Sequence, residues 1–160
     1  MAETLGSLCD KLSIVKLKQY HCDNKQKAQS LAIQEGQLVA EINMFTADAL
    51  SGRTPIERLS FSANKVYKQA GNELCPVPEE SIGEAFAELC KVNCDLWHEQ
   101  EKVYEFEAVP AEEKNKVVKQ LALLNLRRNQ CIDAIDKVLI RTIECILRSK
   151  SAASAAAQTC

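Results

Sequence analysis

Two histidines, eight cysteines and a scatter of carboxylates and amides are the side chains in this 160-residue sequence that could do chemistry. Asp95-x-x-His98 has the spacing by which helical di-metal sites place a carboxylate and an imidazole on one helix face, with Asp where Glu is usual. Such a site needs a second pair, and the position three before His21 is Lys18, a cation where a ligand is required. His98-Glu99 opens like a zinc-protease motif, but Lys102 stands where the second His must be. The ligand sets are therefore incomplete, and neither a metal nor another cofactor is expected. Cys94 and His98 lie one turn apart and could meet on a helix. Reactivity also needs an exposed thiol of depressed pKa, which spacing does not supply. No Gly-rich phosphate loop and no Ser nucleophile elbow is present, so no catalytic residue is assigned.

The most unusual polar stretch is Leu124-Asn125-Leu126-Arg127-Arg128-Asn129, where polar side chains interrupt an apolar helical stripe. One reading is a buried hydrogen-bond network that fixes helix register, which would require a carboxylate for Arg128. The other is an inter-helix anion or carboxylate pocket, with Arg128 as clamp and Asn125 and Asn129 as amide partners. The single tryptophan, Trp97, packs in a core by default or lines a pocket beside His98 and Glu101. The candidate ligand or polar-network residues are thus Trp97, His98, Glu101, Asn125, Arg128 and Asn129.

Helices must position them. Ile82, Phe86, Leu89, Asn93, Leu96, Gln100 and Val103 recur at spacings of four and three, the seam of a helix packed at a shallow angle. Pro110 suits the first turn of a last helix whose stripe runs through Val117, Leu121, Leu124, Cys131, Ile132, Ile135, Leu139, Ile143 and Ile146. With no Gly or Pro in 111–148, that helix reaches over ~50 Å, and its overhanging Ile140, Ile143, Ile146 and Leu147 need cover. In the first half, apolar periodicity covers 4–50 and is broken at Cys22-Asp23-Asn24. Periodicity alone does not separate a hairpin from one kinked helix, and the break favours the hairpin. Gly36, inside the second helix, suggests a close packing approach there.

The connector 51–78 is expected to hold a short helix around 60–70, and the Ala/Ser-rich 151–160 reads as a flexible tail. An internal repeat links the halves. Leu12, Val15, Tyr20, His21 and Lys25 match Leu89, Val92, Trp97, His98 and Lys102 without a gap. The expected fold is therefore all-α, one domain over 1–150. It is an antiparallel four-helix bundle of two related hairpins, 4–50 and 79–149, ending in a long C-terminal helix. The repeat puts Tyr20 and Trp97 at one end on diagonally opposed helices, and it aligns Glu35 with Arg128 as a structural pair.

Composition limits the function classes. A formal net charge of −2 gives no global basic signature for nucleic acid. The charge is uneven: 79–107 is acidic, while 11–27 holds Lys11, Lys16, Lys18, Lys25 and Lys27. These read as faces that attract when packed, with a basic face for an anionic partner as the sharper alternative. The start of the chain lacks signal-peptide regions, no apolar run reaches the ~18 residues of a membrane span, and no Cys-x-x-Cys occurs. A cytoplasmic protein with reduced cysteines is expected.

Two motifs taken together, Leu96-Trp97-His98-Glu99-Gln100-Glu101 and Leu124-Asn125-x-x-Arg128-Asn129-x-x-Ile132-Asp133-x-x-Asp136, resemble a bacterial family of short helical proteins known only as a domain of unknown function. Leu8-Cys9-Asp10-Lys11-Leu12-Ser13-Ile14 is similar to that family's opening helix. The resemblance implies an all-helical cytoplasmic protein and lends no activity. The leading expectation is a non-enzymatic module that binds a protein partner or forms a homo-oligomer. The alternative is a small enzyme or ligand-binding protein with a site near Trp97, His98, Glu101 and Arg128.

Overall fold

The computed structural model describes residues 3–63 and 74–158. Helix α1 (Leu5–Tyr20) starts at a capping box, in which the Ser7 amide donates to Thr4 Oγ1 at 3.2 Å and the Thr4 amide donates to Ser7 Oγ at 2.8 Å. Helix α2 (Lys25–Leu50) follows after a short break and is capped by Asn24, whose Oδ1 accepts from the Lys27 amide at 3.0 Å. The first half is therefore a hairpin. Gly52, at φ 75°, ends α2 in the left-handed conformation that glycine adopts without penalty. A 3-10 turn, Ile56–Arg58, lies in the connector. Residues 60–63 are not helical, and the rest of the short helix expected around 60–70 lies outside the described residues.

Ser81 caps α3 (Ile82–Tyr104), and α4 runs from Ala111 to Gln158. Its 48 residues span about 72 Å at 1.5 Å each. Most of the segment expected to be a flexible tail thus has helical backbone, in keeping with the high helix propensity of alanine.

The four helices form an all-α bundle with a long C-terminal helix. α1 packs against α2, α3 and α4, and α3 packs along α4. α1 and α3 are therefore neighbours, where the repeat placed them on a diagonal. The reason is the close approach of α1 to α4. A Cβ on Gly6 would lie 2.3 Å from the Ile132 carbonyl oxygen, so only glycine lets these two backbones meet. The core joins Leu5 and Cys9 of α1, Ala85, Leu89 and Val92 of α3, and Leu124, Cys131, Ile135, Leu139 and Ile143 of α4.

From α2 only Ala49 is fully buried, with Ile42 and Phe45 packed partly on the core. A Cβ on Gly36 would meet nothing within 4 Å, so no close approach accounts for this glycine. The α4 overhang begins later than expected: Ile143 is buried and Ile140 packs on the core, while Ile146 and Leu147 are exposed.

The two glycines should respond in opposite ways to alanine. Gly6→Ala should destabilise by about 1–3 kcal/mol through overpacking, despite a propensity gain of ~1 kcal/mol. Gly36→Ala should stabilise by up to ~1 kcal/mol. Thermal melts of both variants check the pair, and a neutral Gly6→Ala would refute the close helix approach.

Candidate functional site

The polar side chains sort into two clusters. The first is buried where α1, α3 and α4 meet. Asp10, almost fully buried, accepts from Arg128 Nε at 2.7 Å and from a second guanidinium nitrogen, Nη2. Asn93 Nδ2 donates to Asp10 Oδ1 at 2.9 Å and to Ser13 Oγ at 2.7 Å, and the Ser13 hydroxyl donates to the Asp10 carbonyl at 2.8 Å. The Asp10 carboxylate holds Arg128 above the ordinary guanidinium pKa against the opposing effect of burial. Asn93 stands on the α3 seam because its amide satisfies this ion pair, a role that an apolar seam residue could not fill.

The expected Glu35–Arg128 pair does not form. Glu35 faces α1, accepting from Lys16 at 3.0 Å and from Gln19 at 2.8 Å, which lower its pKa, Gln19 most. Arg128 points from α4 to the other side of α1. Alignment by repeat placed the two at one level, but α1 lies between them.

Further along α4, Asp136 is fully buried and its Oδ1 accepts from the Gly6 amide at 2.8 Å, capping the start of α1 from another helix. Among the described residues, its second oxygen has no hydrogen-bond partner. Burial pushes Asp136 up to about 6, with the Gly6 amide and Thr4 pulling the other way. Asp133, one turn earlier, accepts from the Ala63 amide at 2.7 Å and so ties down the connector. Both aspartates stand in the sequence motif Ile132-Asp133-x-x-Asp136, but neither was among the six candidate site residues. The available signal was their spacing of three beside Ile132 and Ile135, on the buried side of the stripe.

The second cluster lies at the end of the bundle where α1 turns into α2. Trp97 Nε1 donates to Glu101 Oε1 at 2.9 Å, and His98 Nδ1 lies 3.1 Å from Glu101 Oε2. Glu101 is held below the usual carboxylate range by His98 first, against a small effect of burial, with Trp97 adding to the lowering. The His21 ring stacks on Trp97 at 4.8 Å and 12°, and Tyr20 meets His21 edge-on. A cavity of about 480 Å³ opens here, lined in part by Lys18, His21, Lys27 and Trp97.

Of the six candidates, the structure brings together Trp97, His98 and Glu101. Arg128 belongs to the buried network. Asn125 donates to the Leu121 carbonyl at 2.9 Å, back onto its own helix, and Asn129 is half-buried on α4. His21, which the repeat matched to His98, was not among the six candidates.

Nucleophilic chemistry has little support. His98 turns to Glu101, and not to Cys94. Burial pushes the Cys9 thiol up to about 12 and Cys131 to about 11, and it also raises Cys90, so all three stay protonated thiols. Among the described residues, no group of three or more His, Cys, Asp or Glu side chains is arranged to hold a metal ion.

Comparison with known proteins finds no matching family model, no matching curated protein and no matching solved structure.

Two outcomes test the buried polar groups. Arg128→Ala should destabilise by about 3 kcal/mol, the low end for a broken buried pair because the guanidinium is partly open to solvent. The melting temperature should fall by on the order of 10 °C for a chain of this size. A melt unchanged by the substitution would refute a structural role. For Asp136 the folded pKa is raised, so its contribution is fully present below about pH 4 and is lost as pH rises through about 6. Wild-type stability, measured by denaturant titration, should therefore decline relative to Asp136→Asn across that window. Parallel profiles would show that Asp136 titrates normally.

Proposed function

We propose that this protein is a non-enzymatic interaction module that binds a protein partner or a second copy of itself through α2. One observation carries the reading: the outward face of α2 is apolar, uncharged and uncovered. Ala32, Ile33, Gly36, Val39, Ala40, Asn43, Met44, Ala47 and Leu50 share this face and are all exposed, Ile33 at 64% and Met44 at 62%. Together with Gln29, the strip follows about 33 Å of helix and covers on the order of 300 Å², the size of patch that is often functional on a monomer. Its small residues at Ala32, Gly36, Ala40 and Ala47 would let another helix approach closely. Having no charge, the strip is compatible with its own copy laid antiparallel about a twofold axis.

The alternative of an enzyme or ligand site built on Arg128 is weakened, because Asp10 already engages that guanidinium. No helix among the described residues is long and apolar enough to cross a membrane. A cytoplasmic location and kinship with the bacterial helical family remain part of the proposal, supported by the sequence motifs.

Sedimentation of the wild type against Ala40→Glu tests self-assembly. The wild type should form a concentration-dependent multimer, and the charge at the centre of the strip should return it to single chains without lowering its melting temperature. A wild type that sediments as one chain throughout would exclude self-assembly. A multimer unaffected by Ala40→Glu would place the contact elsewhere.

A further inference from the structure

The basic segment 11–27 was expected to be neutralised by the acidic segment 79–107. Part of that acidity is met instead by α4. Glu88 pairs with Arg127 at 2.8 Å, and Glu79 pairs with Lys137 at 3.2 Å. Lys11 and Lys16 find Glu3 and Glu35, while among the described residues Lys18, Lys25 and Lys27 have no carboxylate partner.

Two of these three unpaired lysines, Lys18 and Lys27, line the same 480 Å³ cavity. Lys25 and Lys27 also occupy the first turn of α2, which holds no acidic residue. A helix start carries partial positive charge, so lysines there are locally unfavourable, and an anion would relieve both the dipole and the ammonium groups. The cavity wall adds the stacked Trp97 and His21 rings, a platform for a flat apolar group. Its volume lies in the usual range for small-molecule sites. One carboxylate, Asp23, is among its lining residues, so lysines outnumber it two to one. Glu101 stands nearby with both oxygens engaged by Trp97 and His98.

We propose that this cavity binds a small aromatic anion, a flat ring bearing a phosphate or carboxylate, with the ring against Trp97 and His21 and the anionic group between Lys18 and Lys27. The site is separate from the α2 strip and does not depend on the interaction reading.

Trp97 is the only tryptophan, so its emission reports on the site directly. The full chain would be titrated with phenyl phosphate, benzoate and the neutral ring benzyl alcohol, with heat of binding measured in parallel. Saturable quenching by phenyl phosphate or benzoate is expected, at least tenfold tighter than any response to benzyl alcohol. Lys18→Gln/Lys27→Gln should weaken it tenfold or more. Both lysines are exposed, and an unchanged circular dichroism melt would confirm that the variant folds. Three results would overturn the proposal: no saturable response to either anion, equal affinity for the neutral ring, or undiminished affinity in the folded double variant.

Discussion

A buried ion pair sets the arrangement of the helices. An aspartate as enclosed as Asp10 is tolerated only with its charge matched and its carboxylate bonded, and Arg128 of α4 and Asn93 of α3 do this from two further stretches of chain. The geometry is demanding because the guanidinium is a rigid fork and the amide must reach both Asp10 and Ser13. Sliding α1 by one turn would strand a buried carboxylate. The pair therefore fixes α1 along its axis against α3 and α4 together, which is a stronger specification of register than apolar contacts provide.

Two other features depend on that register. Gly6 comes to rest on the Ile132 backbone, where no side chain fits, and its amide reaches Asp136. Asp136 then caps α1 from a distance of 130 residues in sequence. Capping of this kind joins helix formation to tertiary packing, since the first turn of α1 is completed only when α4 is in place. With α1 drawn into contact with both α3 and α4, α2 packs mainly along α1 and leaves its other face open. The apolar strip on α2 is in this sense a consequence of where the buried pair holds α1.

The distribution of charge follows the same logic. α3 and α4 lie side by side, so Glu88 of α3 meets Arg127 of α4, and Glu79, just before α3, meets Lys137 and Arg141. Among the described residues, the lysines around the α1–α2 turn have no such partners, and they lie next to the aromatic stack of His21 and Trp97. Open apolar surface and unpaired positive charge thus fall on different parts of the same hairpin, and each can act without the other.

Helix content, the break near residue 22, the long last helix and most of the α4 stripe were legible in the sequence, because apolar period and breaking residues are local properties of the chain. The polar positions inside apolar stripes, Asn93 and Arg128, were visible for the same reason, as was the need of Arg128 for a carboxylate. Which carboxylate was decided by tertiary structure. Asp10 and Glu35 are both acids on neighbouring helices, and only the packing of α1 between α2 and α4 selects Asp10. The burial of Asp133 and Asp136, the meeting of His21 with Trp97 and the exposure of α2 likewise depend on which helix faces which. A helical sequence pattern states that a face is apolar or polar, but the partner of that face is set by close packing among all the helices at once.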